Sequence, residues 1–98
     1  MDDVTKQAWD KSLDKVKAIF DKQCPGAKCE VWLVGSALNG TEYCDNIWLN
    51  VRVEYEYSIE KYHIPLADGV TDLLERTDDY MMLAAGAAIK SFQNLRDK

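Results

Sequence analysis

The sequence predicts an α+β protein: a two-layer sandwich with helices on one face of an antiparallel sheet. Apolar residues recur at helical spacing near both ends of the chain, and strict apolar-polar alternation occupies its middle. The 98 residues leave room for a single domain, 1–98. Helix, strand, strand, helix, helix is an order that places the helices together against one side of a hairpin.

Residues 4–22 carry the first helical pattern. Trp9, Leu13, Val16 and Phe20 fall on one stripe, Ile19 widens it, and the far side is Lys and Asp. Asp2 or Asp3 can cap the first turn, and Lys6 with Asp10 or Lys17 with Asp21 places opposite charges four residues apart, worth about 0.3 kcal/mol each. Cys24-Pro25-Gly26 stops the helix, because proline forces its predecessor out of the α region and glycine accepts a positive φ.

From Cys29 to Gly35 the chain is β-branched and aromatic with both parities apolar, Val31 and Leu33 on one face and Trp32 and Val34 on the other. That pattern predicts a strand covered on both sides. In the second strand Ile47, Leu49, Val51, Val53, Tyr55 and Tyr57 share the core face, while Trp48, Asn50, Arg52, Glu54 and Glu56 share the outer one. The connection Ser36 to Asn46 holds Asn39-Gly40 as its turn signal. Ile59 to Ile64 is compatible with a third short strand.

After Pro65 the helical pattern returns. Asp68 can cap a short segment bearing Val70, Leu73 and Leu74, and Thr77 or Asp78 a longer one, with a corner at Thr77-Asp78-Asp79. Met81, Ala85, Ala88, Phe92 and Leu95 form the stripe of the last helix, and Ala84, Ala87, Ala88 and Ser91 offer a shallow surface for close packing. Two strands make a marginal sheet, so pairing with a second copy is an economical way to finish it, and a homodimer is expected.

Composition narrows the function. The longest apolar run, Met81 to Ile89, is under half of the roughly 20 residues that a membrane span needs. The acidic start is unlike a secretory signal, so a cytoplasmic protein is expected. In that compartment the three cysteines, Cys24, Cys29 and Cys44, are expected to be free thiols rather than a Cys24–Cys29 disulfide. Residues 29–60 set Arg52 against Glu30, Glu42, Asp45, Glu54, Glu56 and Glu60, which equals the whole net charge of −5. The lysines of the first helix alternate with aspartates, a solvated face and not the basic stripe that nucleic acid requires, so direct nucleic-acid binding is not expected.

Few constellations carry chemistry. His63, the single histidine, stands at a strand exit with no nucleophile near it in sequence, and reads as a surface residue. Cys24, Cys29, Cys44 and His63 lack the two tight pairs of a structural zinc site, so no metal and no cofactor are expected. Gly35-Ser36-Ala37-Leu38-Asn39-Gly40 follows a helix and a strand, and resembles the glycine-serine loop of the minimal nucleotidyltransferase family. The resemblance implies a triphosphate held against this loop and two metal-binding aspartates at alternate positions of the next strand. Those positions are Asn46 and Trp48, which offer no anionic oxygen, and Asp45 is one residue out of phase. What the resemblance leaves is a degenerate binder of nucleotides or other small molecules through Gly35, Ser36 and Asn39.

The stronger expectation is a non-enzymatic protein-binding module. Tyr43, Trp48, Glu54, Glu56, Glu60 and Tyr62 bring aromatic rings and carboxylates close together in sequence, the combination of anchors and charge that marks recognition surfaces. Such a surface suits a basic partner, above all a nucleic-acid-binding enzyme that an acidic inhibitor or immunity-type protein would occupy. Small phage or mobile-element inhibitors such as anti-CRISPR proteins share this size and charge.

Overall fold

The computed structural model describes residues 3–35 and 47–97. Six elements follow in order: α1 (Asp3–Gln23), β1 (Ala27–Val34), β2 (Ile47–Tyr55), β3 (Ser58–Ala67), α2 (Val70–Glu75) and α3 (Thr77–Arg96). The fold is α+β, with α1 and the C-terminal helices packed against one face of a three-stranded antiparallel sheet in the order β1-β2-β3.

The stripe of α1 is buried as its spacing predicts, at Trp9, Leu13, Val16 and Phe20, while Ile19 stays exposed. The Cys24 N–H donates to the Phe20 carbonyl at 2.7 Å, and Gly26 then takes a φ of 85°, which an L side chain rarely adopts. That turn delivers the chain into β1. β2 lies in the centre and shows the clearest alternation: Ile47, Leu49, Val51 and Val53 are 0–1% exposed. Full burial of each such side chain is worth about 1.5–3 kcal/mol, so this one strand face supplies much of the driving force. Across the core Phe20 meets Phe92 at 6.3 Å between ring centroids, and Phe92 stacks on Tyr55 at 5.1 Å.

Several sequence expectations need correction. The third strand forms and is longer than Ile59 to Ile64. It removes the premise of a sheet too small to stand without a second copy. Tyr57 is not on the core face: β2 ends at Tyr55, which pairs with Ser58, so Glu56-Tyr57 is a two-residue turn and Tyr57 is fully exposed. β1 is covered on one side only, with Val31 buried and Trp32 40% exposed. The helices lie on a single face of the sheet, and among the described residues no second layer lies over the other.

The caps also differ. Gly69, not Asp68, stands at the N-cap of α2, and Arg76, not Thr77 or Asp78, at that of α3, neither with a side-chain cap bond. The Thr77 hydroxyl instead donates back to the carbonyls of Leu73 and Leu74, both at 3.1 Å, closing the end of α2. The corner therefore sits at Arg76. Tyr80 Oη donates to Asp72 Oδ2 at 2.7 Å and Arg76 Nε lies 3.3 Å from Asp72 Oδ1, which ties the two helices together. In α3 the buried set is Ala84, Ala88, Ser91, Phe92 and Leu95, rotated from the expected stripe so that Met81 and Ala85 are only partly covered. Small side chains win the innermost positions because they let the helix approach closely. Ser91 fits there because its hydroxyl donates to the Ala87 carbonyl at 2.8 Å.

Candidate functional site

Strand register sorts the predicted surface residues. Directly paired residues of an antiparallel sheet point to the same face. Glu60 pairs with Val53 and Tyr62 with Val51, so both lie on the helix-bearing side. There Asn94 Nδ2 of α3 donates to Tyr62 Oη at 3.3 Å, and Tyr62 Oη donates to Glu60 Oε1 at 3.2 Å. Trp48 and Glu54 lie on the opposite, open face, and Glu56 sits in the turn between β2 and β3. The expected set is thus divided between two faces and the hairpin end that joins them. Tyr43, Ser36 and Asn39 lie outside the described residues, as does Cys44; Gly35 follows β1 with a φ of 148°.

The open face is a grid of four rows, each running β1 to β2 to β3. Nearest the hairpin end come Lys28, Glu54 and Ile59, then Glu30, Arg52 and Lys61. Beyond them lie Trp32, Asn50 and His63, and finally Val34, Trp48 and Pro65. One half is charged and the other aromatic and apolar. In the charged half Arg52 Nη1 reaches Glu54 Oε2 at 3.5 Å, and Lys28 stands across from Glu54 as Glu30 does from Arg52. The acidity concentrated in residues 29–60 is therefore offset on this face by basic residues that the pairing brings in from outside that segment. In the aromatic half Trp48 stacks flat on His63, with centroids 4.3 Å apart and 5° between planes, and His63 Nδ1 is hydrogen-bonded to Asn50 Oδ1. A groove of about 270 Å³ runs over Asn50, with Trp32, Lys61 and His63 along it.

Three carboxylates lie at or near the hairpin end, of which Glu54 is paired with Arg52 and Glu60 accepts from Tyr62 Oη. Glu54 flanks it on the open side, Glu60 on the helix side, and Glu56 lies in the turn itself, with Tyr57 fully exposed beside it. Glu56 holds a φ of 56°, a left-handed conformation that glycine ordinarily supplies in two-residue hairpin turns. The base of the end is fixed in the core through the Tyr55–Phe92 stack. Sequence reasoning missed Tyr57 because alternation runs unbroken through Tyr55 and Tyr57. Glu54-Tyr55-Glu56-Tyr57-Ser58 holds no glycine, proline, asparagine or aspartate to mark the reversal.

Neither Cys24 nor Cys29 is in a disulfide, and burial pushes the Cys29 thiol up to about 11, against a smaller opposing pull from Lys17. Among the described residues no cluster of three or more His, Cys, Asp or Glu stands ready for a metal, and no helix is long and apolar enough to cross a membrane. Comparison with protein-family models, with curated protein sequences and with solved structures yields no match.

Proposed function

We propose that the protein is a non-catalytic binding module that inserts the end of its β2–β3 hairpin into a cleft on a basic protein partner. The partner class that fits is a nucleic-acid-binding enzyme, with this protein as its acidic inhibitor or immunity-type antagonist. The carrying observation is Tyr57, fully exposed at a turn whose first residue, Glu56, is held left-handed, with Glu54 and Glu60 on either side. An exposed aromatic ring with the Glu56 carboxylate beside it supplies both halves of recognition: the ring fills a pocket and the acidic charge steers encounter with a positive surface. Anchoring of Tyr55 against Phe92 holds the hairpin in one geometry before binding, which lowers the ordering cost of association. This reading needs no second copy of the chain.

The test is affinity capture from cell lysate with the wild-type chain and with Glu54→Lys/Glu56→Lys and Tyr57→Ala. The expected result is a retained basic protein that binds nucleic acid, is released by heparin, and is lost with either variant while their melting temperatures stay close to wild type. Retention that both variants preserve overturns the proposal.

A further inference from the structure

α1 and α3 run side by side in the same direction. Residues 12–19 of one and 77–85 of the other line a groove of about 290 Å³, and beyond it Phe20 meets Phe92. Val16 is buried at its floor, while Ile19 and Met82, 45% and 74% exposed, stand along it. A rotation of about 100° per residue puts Val4, Lys11, Lys15, Ile19 and Lys22 in one outward quadrant of α1, on the side next to α3. Asp10, Asp14 and Asp21 fall on the other side. The two walls of the groove therefore differ in sign. Lys11 and Lys15 stand four residues apart and repel, and neither they nor Lys22 makes an ion pair among the described residues. The facing quadrant of α3 begins with Asp78, also without an ion pair, and continues through Met82, Ala85 and Ile89 with no lysine.

Size and charge together select what covers this surface. Each helix is roughly 30 Å long and roughly 10 Å across, so the pair presents a projected area of roughly 600 Å². Accessible area on a ridged surface exceeds its projection, which brings this face close to the ~800 Å² that each partner buries in a standard interface. A molecule small enough for the groove would leave most of it in water, Val4 at 78% exposure included. The same helix pair on a second copy matches it in size and also in sign, because a basic wall beside an acidic one is complementary to its own image after a half-turn along the helices.

We propose that the outer face of α1 and α3 is the interface of a homodimer whose two-fold axis runs parallel to the helices. That axis lays α1 on the α3 of the second copy, so Lys15 meets the partner's Asp78, and one turn further on Ile19 meets the partner's Met82. Each contact occurs twice. An axis across the helices would instead lay α1 on α1 and set one lysine quadrant against the other. Ala85 and Gly86 keep the middle of α3 shallow, with open space where a Gly86 side chain would stand, so the facing helix can come close. Because both helices run toward the hairpin end, the two copies would carry their hairpin ends on the same side of the dimer. The interface lies apart from that end and stands whether or not it binds a protein.

Sedimentation velocity of the purified chain tests it over a range up to about 100 µM. The mass is expected to rise with concentration from 11.2 kDa to twice that value and to stop there. Met82→Lys, at an exposed site that the fold does not need, sets a lysine before the partner's basic quadrant and should hold the chain monomeric, with a circular dichroism spectrum that matches wild type. Lys15→Glu and Asp78→Lys should each weaken the dimer about tenfold, since a substitution counts twice across a two-fold interface, and the double variant should recover it. Glu54→Lys/Glu56→Lys should dimerise like wild type. A chain that stays monomeric throughout, or a dimer that the well-folded Met82→Lys variant leaves intact, overturns the proposal. So does a double variant no tighter than the single ones, growth beyond two copies, or a dimer lost with the hairpin-end variant.

Discussion

The two faces of β2 divide the labour of the molecule along one strand. Ile47, Leu49, Val51 and Val53 are sealed beneath the helices, whereas Trp48, Asn50, Arg52 and Glu54, each the next residue along, look away from them. The inner set is interchangeable in kind, four aliphatic side chains whose task is volume. The outer set is four different chemistries in order: an indole, an amide, a guanidinium and a carboxylate. Burial is concentrated on the first face and chemical variety on the second, so substitutions one residue apart should differ sharply in their cost to folding.

The widest separation is expected from Leu49→Ala against Asn50→Ala. The first leaves a cavity in a fully buried site and should cost about 2–5 kcal/mol in denaturant unfolding, while the second should stay within about 1 kcal/mol. Equal losses would mean that the open face is packed after all. Glu56→Gly should raise stability by about 1 kcal/mol, by relieving a left-handed φ where the turn prefers glycine, yet weaken partner capture. A variant that gains nothing would show the turn to be unstrained. Thr77→Val keeps the shape of the side chain and removes its bonds to the Leu73 and Leu74 carbonyls, for an expected loss of about 1 kcal/mol.

The smallest effect concerns Cys29, which borders the inner face opposite Val53. Burial raises its thiol from the ordinary 9.0 to about 11. The unfolded chain therefore releases this proton first, and the folded state loses relative stability as pH rises from about 9 through about 11. Thermal melts across that window should fall less steeply for Cys29→Ala than for wild type. Identical slopes would place the thiol in contact with water.

Both long helices and β2 were legible because each shows a period that only one element satisfies. β3 was legible only as a possible short strand at Ile59 to Ile64 and not in its full extent, because its alternation is broken by polar residues on the covered side. Glu60 and Tyr62 sit at positions on its helix side that a central strand would fill with aliphatics, and Ile59 and Pro65 sit outside. The turn at Glu56-Tyr57 was hidden for a related reason, since nothing in its residue types marks a reversal. That reversal decides the candidate surface. Four residues that read as one acidic and aromatic cluster in sequence, Glu54, Glu56, Glu60 and Tyr62, change faces when the chain folds back between Tyr55 and Ser58. The capping residues failed differently: Thr77 is a helix-terminus residue as its type suggests, but it serves the helix behind it.

The same two-residue turn sets an order of events in the folding of the chain. β2 and β3 close over Glu56-Tyr57, whereas β1 must find β2 across residues 35–46, and α1 must find α3 from the far end of the sequence. Closure entropy grows with the logarithm of the span, so of the two strand pairings β2–β3 has the lower closure cost. If that pairing is part of the folding nucleus, the strain of the left-handed residue at its apex is met on the way to the native state. Glu56→Gly should accordingly act on the refolding rate and leave the unfolding rate nearly untouched, so the molecule that binds less well would be the one that assembles faster.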